Sequence, residues 1–163
     1  MIKNIKKEVD NITDWIKKYV ENTHSNGVIV GNSGGKDSAV VIGLVTKAIG
    51  KERVLTVGMP CFSVEKDLED AKLVSETFGV KMLEIDLTKT YIELENTVTE
   101  GLKKQQIADY ISEESKINIK PRLRMITLYS IARTLNYLVI GTGNACEIFV
   151  RIYNKMGRQC IRF

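Results

Sequence analysis

The chain is expected to fold as α/β, with a doubly wound parallel sheet flanked by helices. Short apolar runs recur at 28–30, 54–59, 80–85 and 137–140, each of strand length. Segments with apolar residues at steps of three and four separate them, and strand–helix alternation of this kind builds parallel sheets. No internal repeat, low-complexity tract or linker interrupts the pattern, so residues 1–163 read as one domain.

Ile2, Ile5, Val9, Ile12, Ile16 and Val20 space an amphipathic helix, with lysines and acids on its other face. Trp15 and Tyr19 widen the apolar stripe and are expected to pack rather than to stack bases. Ser25-Asn26-Gly27 breaks this helix and leads into the first strand. Residues 39–49, apolar on nearly every side, are expected to form a helix covered by the sheet and its neighbours, closed by Gly50. The second strand stops at Pro60. Residues 65–78 carry Leu68, Ala71, Val74 and Phe78 at helical spacing and close on Gly79. The third strand ends at Asp86-Leu87-Thr88. Residues 89–115 read as helical and polar with few markers, and 118–135 as a further helix before the fourth strand. Sheets of this kind bind ligands at the carboxyl ends of their strands. The loop after the first strand, Cys61-Phe62-Ser63, Asp86 and Thr142 are therefore expected on one edge.

The most informative stretch follows Val28-Ile29-Val30: Gly31-Asn32-Ser33-Gly34-Gly35-Lys36-Asp37-Ser38, small residues making a turn at the mouth of a helix. Backbone N–H groups exposed by glycines at a helix N-terminus form an anion site. The spacing is not that of a Walker loop, which places four residues between its first Gly and the Gly-Lys pair and a Ser or Thr next. Here Gly31 is too close to Gly35-Lys36, and Asp37 holds the hydroxyl position. The alternative is a tight glycine turn capped by Ser33.

Composition limits the function classes. With 44% apolar and 27% charged residues the chain is that of a soluble globular protein, and its net charge of +4 fits an anionic small molecule without arguing for nucleic acid. No apolar run reaches membrane-spanning length and the N-terminus lacks a signal-peptide core, so a cytoplasmic protein is expected. Cys61, Cys146 and Cys160 are widely spaced, and His24 is the single histidine, which argues against a zinc site or a His-based triad.

A second stretch joins Asn118-Ile119-Lys120-Pro121-Arg122-Leu123-Arg124-Met125 to Gly141-Thr142-Gly143-Asn144-Ala145-Cys146-Glu147. Arg122 and Arg124 are expected to begin a helix after the proline. Cations prefer the other helix end, so this placement points either to a bound anion or to two solvated arginines. Gly141-Thr142-Gly143 is not a dinucleotide fingerprint, because Cys146 occupies its third glycine position.

The Ser-Gly-Gly-Lys-Asp-Ser run resembles the pyrophosphate loop of the N-type ATP pyrophosphatases, which split ATP between its α and β phosphates. Together with Asn-Ile-Lys-Pro-Arg-Leu-Arg-Met, Gly-Thr-Gly-Asn-Ala-Cys-Glu and the helix at 64–71 after Met59-Pro60-Cys61, the chain resembles ammonia-dependent NAD synthetase over essentially its whole length. That resemblance implies an adenine nucleotide alpha-hydrolase-like fold and a homodimer. It implies ATP held by Gly31, Asn32, Ser33, Gly34, Gly35, Lys36, Asp37, Ser38 and Thr142, with Ser33, Lys36, Asp37 and Ser38 at the chemistry. Mg²⁺ would be bound by Asp37 and Glu147, two carboxylates at the ends of two strands, as suits a cation that takes one or two carboxylates plus phosphate and water. Deamido-NAD⁺ would meet Arg122 and Lys155. Lys36 could add charge near a phosphate or point outward.

By the same resemblance, the nicotinate carboxylate of deamido-NAD⁺ attacks the α-phosphorus and ammonia then displaces AMP to give the amide. Free ammonia is the expected nitrogen source. The family's glycine-rich loop after this point is altered: Arg151, Asn154, Arg158 and Arg162 replace a Gly, a Thr and two Asp. The chain is also expected to be shortened at its C-terminus, without the further Lys, Thr and basic residues that the family supplies. Two other readings stay open: another adenylating pyrophosphatase, GMP-synthetase-like or tRNA-modifying, and an inactive nucleotide-binding remnant.

Overall fold

The structure is a computed structural model that describes residues 4–143. Helix α1 (Ile5–Asn22) is capped by the Asn4 side chain, which accepts from the Lys7 N–H. Strand β1 (Gly27–Gly31) leads through the loop to α2 (Lys36–Ile49), then β2 (Val54–Gly58), α3 (Glu65–Phe78) and β3 (Lys81–Glu84). Two helices, α4 (Thr88–Lys104) and α5 (Glu113–Leu135), precede β4 (Tyr137–Ile140).

All pairings among the four described strands are parallel, in the order β3-β2-β1-β4. Because β-strand side chains alternate between faces, the sheet serves two cores. Val28 and Val30 of β1, Val54 of β2 and Leu138 and Ile140 of β4 meet Ile16 and Val20 of α1 and Ile42 and Val45 of α2. Ile29, Val57 and Val139 meet Tyr91 of α4 and Leu123 and Ala132 of α5 on the opposite face. Val28, Ile29 and Val30 are wholly buried, each contributing about 1.5–3 kcal/mol of apolar burial. The strand that carries the loop is thus the most firmly held part of the sheet.

The topology decides where a ligand can sit. From β1 the chain moves outward through β2 to β3, then returns past both to place β4 on the other side of β1. The carboxyl ends of β1 and β4 therefore flank the switch point, where loops diverge and leave a crevice. The fold class read from the sequence is the one observed.

Four expectations need correction. The helix expected to begin near the arginines starts at Glu113, with Ser112 as N-cap accepting from the Ser115 N–H at 3.3 Å. Pro121 therefore lies inside α5, where it has no N–H for the carbonyl one turn back. Arg122 and Arg124 sit mid-helix, so the dipole argument for an anion beside them does not hold. The polar stretch 89–115 is not one helix, since α4 ends at Lys104 and residues 105–112 run as loop. Helix α2 is not covered all round, because Val40 is 62% exposed. Trp15 and Tyr19 do not enter the core; they stack on each other at 5.5 Å, with Trp15 64% exposed. Among the described residues no helix is long and apolar enough to cross a membrane.

Candidate functional site

The loop after β1 is built from its own polar groups. Asn32 is 4% exposed. Its backbone N–H donates to the Val57 carbonyl at 2.9 Å, extending the β1–β2 ladder by one bond. Its side-chain Nδ2 donates to the Ala71 carbonyl (2.8 Å) and to Ser75 Oγ (3.1 Å) on α3, while Oδ1 accepts from the Gly34 N–H at 3.0 Å. An Asx turn of this kind sets the backbone two residues on. Gly34 has φ +75°, and an added Cβ would lie 2.8 Å from the Asp67 carbonyl oxygen and from Asp70 Cβ. Only glycine meets both demands.

Helix α2 begins without a side-chain cap: Gly35 is its N-cap, and Ser33 does not fill that role. The first intrahelical bond is Ala39 N–H to Gly35 carbonyl at 3.1 Å, so the N–H groups of the helix's own first turn point out of its end. Ser33 Oγ accepts from the Gly35 N–H at 3.3 Å and lies 3.3 Å from Ser38 Oγ, whose hydroxyl is 2.7 Å from the Gly35 carbonyl. Ser38 is buried and Ser33 exposed. Two hydroxyls, a glycine turn and a positive helix end thus converge. Asp37 occupies the first helical turn and is half-buried, whereas Lys36 is exposed.

Beside the loop lies a cleft of about 400 Å³. Gly31, Asn32 and Ser33 form one wall and Gly58, Met59, Pro60 and Ser63 another; α3 adds Asp67, Leu68 and Ala71. Arg124 and Leu128 of α5 and Thr142 after β4 close it. Gly31 matters here because a Cβ would come within 3.3–3.4 Å of Leu128 and Met59. Arg124 is half-buried and its Nε donates to the Met59 carbonyl at 3.1 Å, which brings a permanent cation to the end of β2.

The structure therefore brings Gly31, Asn32, Ser33 and Thr142 to one cleft, with Gly34, Gly35, Asp37 and Ser38 in the adjoining turn. Lys36 and Arg122 do not line it. Arg122 donates instead to the Asn118 carbonyl of its own helix at 2.7 Å. Glu147 and Lys155 lie outside the described residues, as do Cys146, Cys160, Arg151, Asn154, Arg158 and Arg162. Asp86 is not a wall of the cleft; Thr88 turns it back, the Thr88 N–H donating to Asp86 Oδ1 at 2.8 Å, and these hydrogen bonds hold its carboxyl below the usual range.

Sequence reasoning missed Asp67 and Met59, and it reached Arg124 only as one of two arginines beside an anion, on a helix-end argument that the structure removes. The Arg124 signal was available: Ile119, Leu123, Leu128, Ile131 and Ala132 mark the sheet-facing stripe of α5, and Arg124 lies next to Leu123 and four before Leu128.

Next to the cleft, Phe62 at φ +56° meets Tyr91 edge-to-face at 5.4 Å, and Lys120 Nζ lies 5.2 Å from the Phe62 ring centre. Cys61 beneath them is buried, and burial pushes its thiol pKa up, with Lys120 and Arg124 pulling the other way. Among the described residues no group of three or more His, Cys, Asp or Glu is placed to hold a metal ion.

Comparison with known proteins gives a consistent neighbourhood. Residues 8–160 match the NAD synthase family profile. An NH(3)-dependent NAD(+) synthetase of Alkaliphilus oremlandii is 40% identical over 158 residues, covering 96% of this chain and 63% of its own. The structure of NH3-dependent NAD synthetase from Campylobacter jejuni, in complex with the nitrate ion, superposes with a TM-score of 0.79 at 30% identity, over 92% of this chain and 61% of that one. Glutamine-dependent NAD+ synthetase from Acinetobacter baumannii, in complex with ADP, gives 0.80 at 27% identity, over 89% and 27%. The chain spans about three fifths of the length of the curated relatives it matches.

Proposed function

The chain belongs to the NAD synthase family, and from that membership we propose that it forms NAD⁺ from deamido-NAD⁺, ATP and ammonia. The observation that carries this reading is the position of the 31–38 loop, at the switch point between β1 and β4 and open to a cleft of nucleotide dimensions. ATP places its adenosine between Met59, Leu68 and Leu128 and its phosphates over the turn. An ADP-bound relative supports a nucleotide on this fold.

The residues do little proton chemistry. Ser33 and Ser38 hydroxyls, each both donor and acceptor, reorient toward the β and γ phosphates, and the outward-facing amides at the start of α2 receive their charge. The nicotinate carboxylate attacks the α-phosphorus, the bond to pyrophosphate breaks, and the loop retains the departing pyrophosphate. Arg124, anchored through Nε to Met59, presents its remaining N–H groups along the cleft and offsets charge at the α-phosphate. Ammonia then attacks the acyl carbon, the amide forms, AMP leaves and a proton passes to solvent. Arg122 and Lys155 are assigned to deamido-NAD⁺, and Thr142 to ATP.

A Mg²⁺ ion fits the donor set. Asp37 is a hard oxygen donor in the turn that would hold the phosphates, and Glu147 supplies a second carboxylate in this reading. With one or two carboxylates the ion would complete its shell from phosphate and water and would neutralise the pyrophosphate as it departs. We place the protein in the cytoplasm as a homodimer.

The test is NAD⁺ formation from deamido-NAD⁺, ATP, Mg²⁺ and ammonium. The expected result is product equimolar with AMP and pyrophosphate, abolished by Asp37→Ala. No product above a protein-free control, at high protein concentration, would overturn the assignment.

A further inference from the structure

We infer that Asn32, backed by Ser75 and Thr56, is a positioning residue that sets the nucleotide-phosphate turn through a buried polar relay reaching from β2 and β3 to the loop. The inference rests on the proposed ATP reading, which assigned Asn32 as one of several loop residues without a distinct task. Within the loop its chemistry is different from that of the serines. Both amide hydrogens are committed to α3, at Ala71 and Ser75, and Oδ1 is committed to the Gly34 N–H. The side chain that borders the cleft is thus tied behind it.

The relay continues away from the cleft. Ser75 Oγ lies 3.1 Å from the Ala71 carbonyl and 2.9 Å from Thr56 Oγ1, which lies 3.1 Å from the Lys81 carbonyl. Asn32, Ser75 and Thr56 are 4%, 2% and 0% exposed, so this is an interior network under β2 and α3. One arrangement of protons runs its whole length: Asn32 donates to Ser75, Ser75 to Thr56, and Thr56 to the Lys81 carbonyl. A buried amide is costly unless each polar group is met, and a fully met network holds one geometry. An apolar residue at position 32 could fill the same volume, but it could not fix the Gly34 amide or bind α3. Asn32 therefore couples the turn to the middle of α3, a helix whose Asp67 and Ala71 form a cleft wall.

The coupling is tested with the full chain. Affinities for ATP and for adenosine are measured by calorimetry on the wild type, Asn32→Leu, Ser75→Ala and the double variant. The expected result is ATP binding weakened tenfold or more in Asn32→Leu and about threefold in Ser75→Ala, with adenosine held within about twofold, because adenosine has no phosphates for the turn to place. The double variant should match Asn32→Leu alone, since Ser75 acts through Asn32. Equal losses for adenosine and ATP, or strictly additive losses, would overturn the inference by showing general loosening. Unchanged ATP affinity in Asn32→Leu would overturn it while leaving the ATP reading intact; a wild type that binds no ATP would remove that reading itself. Should Asn32→Leu fail to fold, Ser75→Ala decides: its ATP loss must exceed its adenosine loss, or the inference falls.

Discussion

Gly34→Ala is the sharpest probe of how the loop is built. The new Cβ would sit 2.8 Å from the Asp67 carbonyl oxygen and Asp70 Cβ and 3.0 Å from the Ala71 N, all on helix α3. These are mostly backbone atoms of a helix, so they cannot rotate aside. Gly34 also has φ +75°, which costs an L-residue about 1–2 kcal/mol. Overpacking against a fixed wall adds about 1–3 kcal/mol. The expected loss is therefore about 2–5 kcal/mol, some of it met by the loop lifting off α3. Gly79→Ala provides the control, because Gly79 is also left-handed (φ +64°) but its nearest neighbour is the flexible Lys51 side chain at 3.4 Å. It should lose only the left-handed cost of about 1–2 kcal/mol, without the overpacking. Urea unfolding of both variants gives the difference, and ATP titration shows whether the lifted loop still binds. Gly34→Ala as stable as Gly79→Ala, with wild-type ATP affinity, would refute the docking of the turn on α3.

Other outcomes follow from the same geometry. Arg124→Ala should weaken ATP binding about 10- to 100-fold, because a hydrogen bond to a charged group contributes about 1.5–3 kcal/mol, and Arg124→Lys should restore only part of it through loss of the planar fork; Arg122→Ala should leave ATP affinity within about twofold in a titration without deamido-NAD⁺. Cys61 and Tyr91 both have pKa values raised by burial. Folding therefore favours their protonated forms: this contribution is fully present below the unfolded pKa values of about 8.5 and 10 and is lost as pH rises through the folded ones. The melting temperature should fall above about pH 9, and Tyr91→Phe should flatten the fall; an unchanged melting temperature to pH 10.5, roughly the upper end of that range, would contradict it. In a Cys146→Ser/Cys160→Ser background, Cys61 should react with a maleimide far more slowly in the native protein than in urea.

The β1–loop–α2 unit was legible because Val28-Ile29-Val30, the glycines and the Ser33–Ser38 spacing are local signals that the fold does not override. Strand order was not legible, since pairing β4 beside β1 depends on contacts across more than a hundred residues. Pro121 misled the reading of α5: proline is most at home in a first turn, whereas here Ser112 with Glu113 and Glu114 makes the true start, a capping signal present in the sequence. Asn32 read as one more ligand-facing loop residue because nothing local announces that Ser75, 43 positions on, would take its amide. Trp15 and Tyr19 lie near the apolar stripe of α1 but fall beyond the width that α2 and β1 cover.

The central claim is that the turn at the switch point supports transfer of an adenylyl group from ATP to a carboxylate. Exchange of labelled pyrophosphate into ATP, run without ammonia, isolates that step from amide formation. Exchange should require deamido-NAD⁺ and Mg²⁺ and should disappear in Asp37→Ala and Ser38→Ala. Exchange absent with deamido-NAD⁺ present, or proceeding equally without it, would rule out adenylyl transfer to that carboxylate at this turn.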